Sequence, residues 1–139
     1  MTAKKLGEVL ESVSDTIRND NNIWEFYVSE VIMICITDEA SNRMRIIAPI
    51  ADMKDVSVDM VNDAMEANFH SALDVRYCIS DNLMWAAFMH PYQELDEDMV
   101  LEALSQLYNA VRTFGTTYSS TSLAFPRSPA ADTIPGKKY

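Results

Sequence analysis

The sequence predicts an α+β protein of two layers, with three helices packed on one face of an antiparallel sheet of about five strands. Three segments carry apolar residues at helical spacing. The segments between them are rich in β-branched and aromatic residues and are joined by short polar connections. Hairpin pairs with interspersed helices are typical of such a fold. The expected order is helix, two or three strands, helix, two strands and helix.

The first helix is predicted from about Thr2 to Asn19. Asp20-Asn21-Asn22 follows as a turn, because these side chains favour turn conformations. The next segment, IWEFYVSEVIMICITD, reads as strand, and the sequence leaves open whether Ser29-Glu30 divides it in two. The helical prediction rests on five apolar residues that share one face: Leu6, Val9, Leu10, Val13 and Ile17.

The second half of the chain repeats this alternation. A strand over Arg43–Ile50 precedes a helix that Ser57 caps and that extends from Val58 to about Ser71. A hairpin with its turn at Ser80-Asp81-Asn82 follows. The last helix begins after its cap, Asp96, and Gly115 is its expected stop.

The chain is expected to form one domain over residues 1–118, followed by a tail over residues 119–139. The tail is rich in Ser and Pro and has no apolar pattern of its own. It carries three apolar residues that could dock on the domain: Leu123, Phe125 and Ile134.

The charge of the chain restricts its partners. Its formal net charge is −10 and its pI is about 4.4, and the Lys and Arg residues are scattered. This argues against nucleic acid and anionic membranes as partners and is compatible with a basic or polar peptide.

A cytoplasmic location is expected. Glu8 and Glu11 interrupt any signal-like apolar region after Lys4-Lys5, and the apolar runs are too short to span a membrane. Cys35 and Cys78 lie within predicted strands and are expected to be reduced and to pack as small apolar residues.

The predicted strands are apolar on both faces, and three helices can cover only one. Leaving large apolar side chains wet forgoes about 1.5–3 kcal/mol for each, so the second face is expected to be an interface. The sequence leaves open whether a second copy, a partner segment or the tail covers this second face.

Trp85 is expected in the core and Trp24 at the interface. The predicted partner or dimer contacts are Trp24, Ile32, Ile34, Ile36, Met84, Ala86 and Phe88; the alternation leaves open which set faces the helices.

One stretch of the chain resembles a known family. The residues are Asn68 near a helix end, the strand Arg76-Tyr77-Cys78-Ile79, the turn Asp81-Asn82, the strand Leu83-Met84-Trp85, and Pro91 before a long last helix. This order is similar to that of the YbjN-type proteins and the class I type III secretion chaperones, which share the secretion-chaperone-like fold. The resemblance covers about residues 6–116, with Asn82 where the family usually has Gly.

The resemblance implies a bacterial, non-enzymatic binding protein that forms a homodimer and wraps an extended segment of a partner protein, as a chaperone or as an adaptor or regulator. No cofactor or metal is expected. The alternative is a small-molecule-binding or enzymatic domain with a pocket near His70, Cys78 and His90. Pro91 separates His90 from Glu94, and no third metal ligand is evident.

Overall fold

Three helices pack on one face of a six-stranded antiparallel sheet in the computed structural model, which describes residues 1–121. The α+β prediction is therefore confirmed, with one strand more than expected. The strand order across the sheet is β1-β2-β3-β4-β6-β5. The elements are α1 Ala3–Val13, β1 Thr16–Asp20, β2 Ile23–Val28, β3 Val31–Asp38, β4 Arg43–Asp52, α2 Val58–His70, β5 Arg76–Ser80, β6 Leu83–His90 and α3 Glu97–Thr113.

The first helix is shorter than its apolar pattern predicts. It ends at Val13, and Ser14 is already in extended conformation. Ile17 fits the helical stripe, but it also fits a strand, where it lies opposite Phe26 of β2. The prediction of a helix to Asn19 was wrong because pairing with β2 gives this segment a full ladder of backbone hydrogen bonds.

Two tight turns set the register of the sheet. Ser29 and Glu30 both have positive φ, at 45° and 73°, and so do Asp81 and Asn82, at 52° and 62°. Two-residue loops of this kind match the right-handed twist of the strands they join. Ser29-Glu30 therefore divides the long apolar segment into β2 and β3, which settles the point the sequence left open.

The core lies between the helices and the near face of the sheet. Leu6 and Leu10 of α1, Phe26 of β2, Met33 of β3 and Ile46 of β4 are completely buried there. Tyr77 of β5 is also buried, and its hydroxyl donates to the carbonyl oxygen of Ala110 in α3 at 2.8 Å. The helix-covered face is thus a closed apolar layer.

Burial makes two core groups sensitive to alkali. It raises the pKa of the Cys35 thiol from 9.0 to about 12, and that of the Tyr77 hydroxyl from 10.0 to about 12. Below about pH 9 both groups are protonated in the folded and the unfolded chain, so their stabilisation is complete there. At higher pH the unfolded chain releases these protons first, which favours unfolding.

We expect the free energy of unfolding to fall from about pH 9 towards pH 12, by about 1.4 kcal/mol per pH unit for each titrating group. Urea unfolding at pH values across that range measures the decline. Cys35→Ala should make the decline between about pH 9 and pH 10 shallower without removing it, because burial raises the pKa of the Cys78 thiol as well. A stability that stays constant up to pH 12 contradicts this account.

The hydroxyl of Tyr92 is the exception to good hydrogen bonding in the described core. Tyr92 is buried, and its oxygen has no partner among the described residues. We expect Tyr92→Phe to leave the stability unchanged or raise it by about 1 kcal/mol, since the unsatisfied group is removed. Tyr77→Phe is the matched control and should cost about 1 kcal/mol, because it deletes the bond to Ala110. Equal losses in both variants, measured by urea unfolding, contradict the prediction.

Hydrogen bonds hold Ser120 against the connection that follows α2 and against α3. Ser120 is buried, its amide donates to the carbonyl oxygen of Ser71, and Asn109 donates to its carbonyl oxygen at 3.0 Å. Residues 119–121, which the sequence assigns to the tail, are therefore joined to the α2–β5 connection. The rest of the predicted tail, with Leu123, Phe125 and Ile134, lies outside the described residues.

Candidate protein-binding surface

The far face of the sheet is not covered by any described helix. Along β3, residues facing the helices are buried, whereas Ile32, Ile34 and Ile36 on the other side stay partly accessible. Strand pairing places residues of the neighbouring strands beside them on the same face. We call this surface the open sheet face; its apolar members are Ile23, Tyr27, Ile32, Ile34, Ile36, Ile47, Pro49, Leu83, Trp85, Ala87 and Met89.

The apolar residues of the open sheet face are contiguous across four strands. Ile34 of β3 lies opposite Ile47 of β4, which in turn lies opposite Ala87 of β6. In the adjacent row Pro49 lies opposite Trp85. Contiguous apolar surface of this kind usually marks an interaction site in a protein that stays in solution.

The predicted contact residues divide between the two faces. Ile32, Ile34 and Ile36 lie on the open sheet face, where they were expected. Met84, Ala86 and Phe88 do not: they lie beneath the helices, with exposed fractions of 0%, 0% and 6%. Their assignment to the exposed side was wrong, because a strand that is apolar on both faces gives no signal for which set points inward.

The two tryptophans are exchanged relative to their expected places. Trp24 is 4% exposed and packs under α1, where its indole nitrogen lies 3.4 Å from the place that a side chain at Gly7 would occupy. It is therefore not available as an interface residue. Trp85, expected in the core, lies half-buried on the open sheet face, and its indole N–H donates to the carbonyl oxygen of Ser80 at 3.0 Å.

The two edges of the sheet differ in their availability for further pairing. At the β5 edge the side chain of Asn68 from α2 accepts from the amide of Tyr77 at 2.8 Å and donates to its carbonyl oxygen at 3.1 Å. The Asn68 amide thus occupies the position that a neighbouring strand would take. At the other edge, β1 has a strand neighbour only on its inner side. The sheet can accept an additional strand at β1 more readily than at β5.

A second apolar surface lies on the outer side of α2. Ala64 and Ala67 face the core, and the opposite side of the helix carries large apolar side chains. Ile79 of the adjacent strand β5 adds to them. We call this the α2 surface; its members and their exposed fractions are Val58 76%, Met65 46%, Phe69 73% and Ile79 50%. The sequence analysis missed it, although Val58 and Phe69 lie off the Ala64–Ala67 stripe and were the available signal.

The structure does not bring Cys78 and His90 of the alternative pocket to the same face of the sheet. Cys78 lies opposite Trp85 on the open sheet face, whereas His90 lies opposite Met44, which faces the helices. His90 instead stacks on Phe88 with ring centroids 5.8 Å apart. Burial also raises the pKa of the Cys78 thiol, which lowers its thiolate fraction and its reactivity.

Residues 1–121 contain neither a candidate metal site nor a candidate membrane-spanning helix. Within them, no three His, Cys, Asp or Glu side chains are grouped so as to hold a metal ion. No helix in that part of the chain is long and apolar enough to cross a bilayer. The features left to explain are the open sheet face and the α2 surface.

Taken together, these elements define an α+β protein with three helices on one face of a six-stranded antiparallel sheet. No protein-family model and no curated protein matches the chain. Several solved structures, in contrast, are similar to the chain. A chain of the HopA1–SchA chaperone–effector complex is similar with a TM-score of 0.63 and 14% sequence identity, over 80% of this chain and 90% of that one.

Two further structures extend the likeness. A chain of the ExsC–ExsE complex matches with a TM-score of 0.60 at 11% identity, over 80% of this chain and 92% of that one. The Yersinia pestis type III secretion chaperone SycH, in complex with a stable fragment of YscM2, matches with a TM-score of 0.56 at 9% identity. That match covers 77% of this chain and 97% of the other. At these identities the likeness establishes the fold.

Proposed function

We propose that this protein is a non-enzymatic, chaperone-like or adaptor module that binds an extended segment of a partner protein on its open sheet face. The observation that carries the proposal is the continuous apolar surface around Ile34, Ile47 and Trp85, which no described part of the chain covers. The similar structures support it. One is the HopA1–SchA chaperone–effector complex, one is the ExsC–ExsE complex, and one contains the chaperone SycH with a fragment of YscM2.

An extended segment fits this surface better than a globular partner. The sheet is six strands wide, which is about 25 Å at the usual strand spacing. Side chains of an extended peptide can enter the shallow depressions between the isoleucine rows, and its backbone can stay hydrated or pair with the β1 edge. Such binding needs apolar contact and strand geometry and no reacting group, which is why the role is not enzymatic.

We further propose that the protein works as a cytoplasmic homodimer, joined through the α2 surface. The stripe of Val58, Met65 and Phe69 is exposed on one side of a helix at the end of the sheet. Around a two-fold axis, the same stripe of a second copy would cover it. This arrangement leaves the open sheet face of each copy free for a partner segment.

The partner-binding proposal can be tested without knowing the natural partner. A displayed library of random peptides of about twelve residues, long enough to cross the sheet as a strand, is selected against the full chain. We expect it to yield linear binders that Ile34→Asp weakens by at least about tenfold, because a carboxylate interrupts the apolar rows.

Val13→Asp is the matched control for this selection. Val13 is an exposed apolar residue at the end of α1, on the other side of the sheet. Binders should retain their affinity for this variant. A selection that yields no binders, or binders that lose no affinity with Ile34→Asp, overturns the proposed function.

A further inference from the structure

Charge is distributed unequally between the two sides of the molecule. Residues 1–121 contain eight Lys and Arg against 20 Asp and Glu, a formal balance of −12. On the open sheet face, strand pairing places four arginines against four acids, so this face is formally neutral. These groups are Arg18, Arg43, Arg45 and Arg76, with Asp20, Glu25, Asp38 and Asp52.

Everywhere else on the described surface acids dominate. The remaining side chains there number four Lys and Arg against 16 Asp and Glu. A negatively charged segment is repelled by this surface and finds its least unfavourable approach over the open sheet face. The low pI of the whole chain favours a basic partner, but this expectation does not hold for the open sheet face, whose own charges balance.

Within residues 1–121, Arg45 is the one arginine of this face without a hydrogen-bond or ion-pair partner. Arg18 pairs with Glu25, Arg76 donates to the carbonyl oxygens of Leu73 and Val75, and Arg43 donates to the carbonyl oxygen of Asn42 at 2.9 Å. Arg45 makes no hydrogen bond or ion pair within the described residues. Its guanidinium is exposed and its five donors are available to a ligand.

The surroundings of Arg45 are apolar. It lies on β4, inside the sheet, opposite Ile36 of β3 on one side and Met89 of β6 on the other. The next residue on the same face of its own strand is Ile47. A groove of about 840 Å³ at this end of the sheet is lined by Arg45, Ile36 and Met89 together with Asp38, Glu39 and Arg43.

A segment that covers Ile36 and Met89 must also remove water from the guanidinium between them. An unpaired buried charge is strongly unfavourable, whereas a carboxylate from the segment can form a bidentate pair with Arg45. Apolar contact and one acidic group are therefore needed at the same place.

We propose that the partner segment is apolar and acidic, and that Arg45 selects it by pairing with a carboxylate placed among its apolar residues. This inference rests on the proposed function and specifies the chemistry of the partner at the same site. A basic apolar segment is rejected at Arg45, although the protein as a whole is strongly acidic.

The random-peptide selection described above provides the test, carried out on the full chain and on Arg45→Glu. Peptides selected on the unaltered chain are expected to be enriched in Asp and Glu next to apolar residues. Peptides selected on Arg45→Glu are expected to be enriched in Lys and Arg instead. For a synthesised acidic binder, changing its acid to Gln should weaken binding by about tenfold, and this loss should shrink in high salt and vanish on Arg45→Glu. Arg112→Glu, on α3, is the matched control and should leave the acidic preference intact.

The outcomes separate the two proposals. Binders that depend on Ile34 but show no acidic enrichment, or the same enrichment on Arg45→Glu, overturn the role of Arg45 and leave the proposed function standing. An absence of Ile34-dependent binders overturns both. A chain ending at Thr121 is selected in parallel; if only this chain yields binders, the segment after Thr121 occupies the face, and the partner proposal fails. If Arg45→Glu instead halves the solution mass, a second copy is the occupant, and the proposal fails as well.

Discussion

Replacing Ile46 with Asp is expected to unfold the protein, whereas the same replacement at Ile47 is expected to leave it folded. The two residues are consecutive on β4 and point to opposite faces of the sheet. Ile46 is completely buried under the helices. A carboxylate there has no partner and displaces a large apolar side chain, which together cost more than about 5 kcal/mol and exceed the stability of many small domains.

At Ile47 the same carboxylate meets a different environment. The side chain lies on the open sheet face, where water has access, and Arg45 lies two residues earlier on the same face. We expect a loss of only about 1 kcal/mol. Far-UV circular dichroism and urea unfolding of the two variants measure the difference.

Ile46→Val is the control for position 46 and should cost about 1 kcal/mol, since it keeps the site apolar. If Ile47→Asp unfolds the chain as completely as Ile46→Asp, then both faces of the sheet are covered. That result would falsify the assignment of the open sheet face and remove the basis of the proposed function.

Phe69→Asp is expected to convert the proposed dimer into monomers. Phe69 is 73% exposed in the single chain and is the aromatic member of the α2 surface. Aromatic side chains at the centre of an interface commonly contribute 2 kcal/mol or more, so the dissociation constant should rise at least about thirtyfold. Light scattering over a range of protein concentrations gives the mass of each variant.

The stability of the fold should not change with Phe69→Asp, because its ring contacts only His70 among the described aromatic groups, at 4.8 Å between centroids. Val13→Asp introduces the same charge at another exposed apolar position and should remain a dimer. Loss of the dimer in both variants points to a general charge effect. A monomeric unaltered chain shows that the α2 surface does not join two copies. The chain ending at Thr121 should form an oligomer of the same number of copies as the full chain, since Ser120 is the last buried residue described.

Local sequence predicts most of this fold because its elements are marked by local chemistry. Ser57 and Asp96 cap their helices through hydrogen bonds to the amides of Met60 and Met99, as their side chains predict. Asp81 and Asn82 adopt the positive φ values that their turn needs. The end of α1 was misplaced because Ile17 satisfies two periodicities, and only pairing with Phe26 decides between them.

The site was harder to predict than the fold. Three of the seven predicted contact residues, Ile32, Ile34 and Ile36, lie on the accessible face, and the other four are buried. In β6 the sequence is apolar at nearly every position, so inward and outward sets look alike. Phe69 and Arg45 belong to surfaces whose composition is visible only after distant strands and helices are placed side by side.

The sequence by itself determined the α+β class, the helix caps, the turns and the apolar character of both sheet faces, because each depends on residues close together in the chain. Only the tertiary structure decided which face the helices cover, since one choice of side for α1 and α3 fixes the direction of every strand residue at once. It also decided that Arg45 has no charged or hydrogen-bonding partner within residues 1–121, because backbone pairing of three strands places it between Ile36 and Met89.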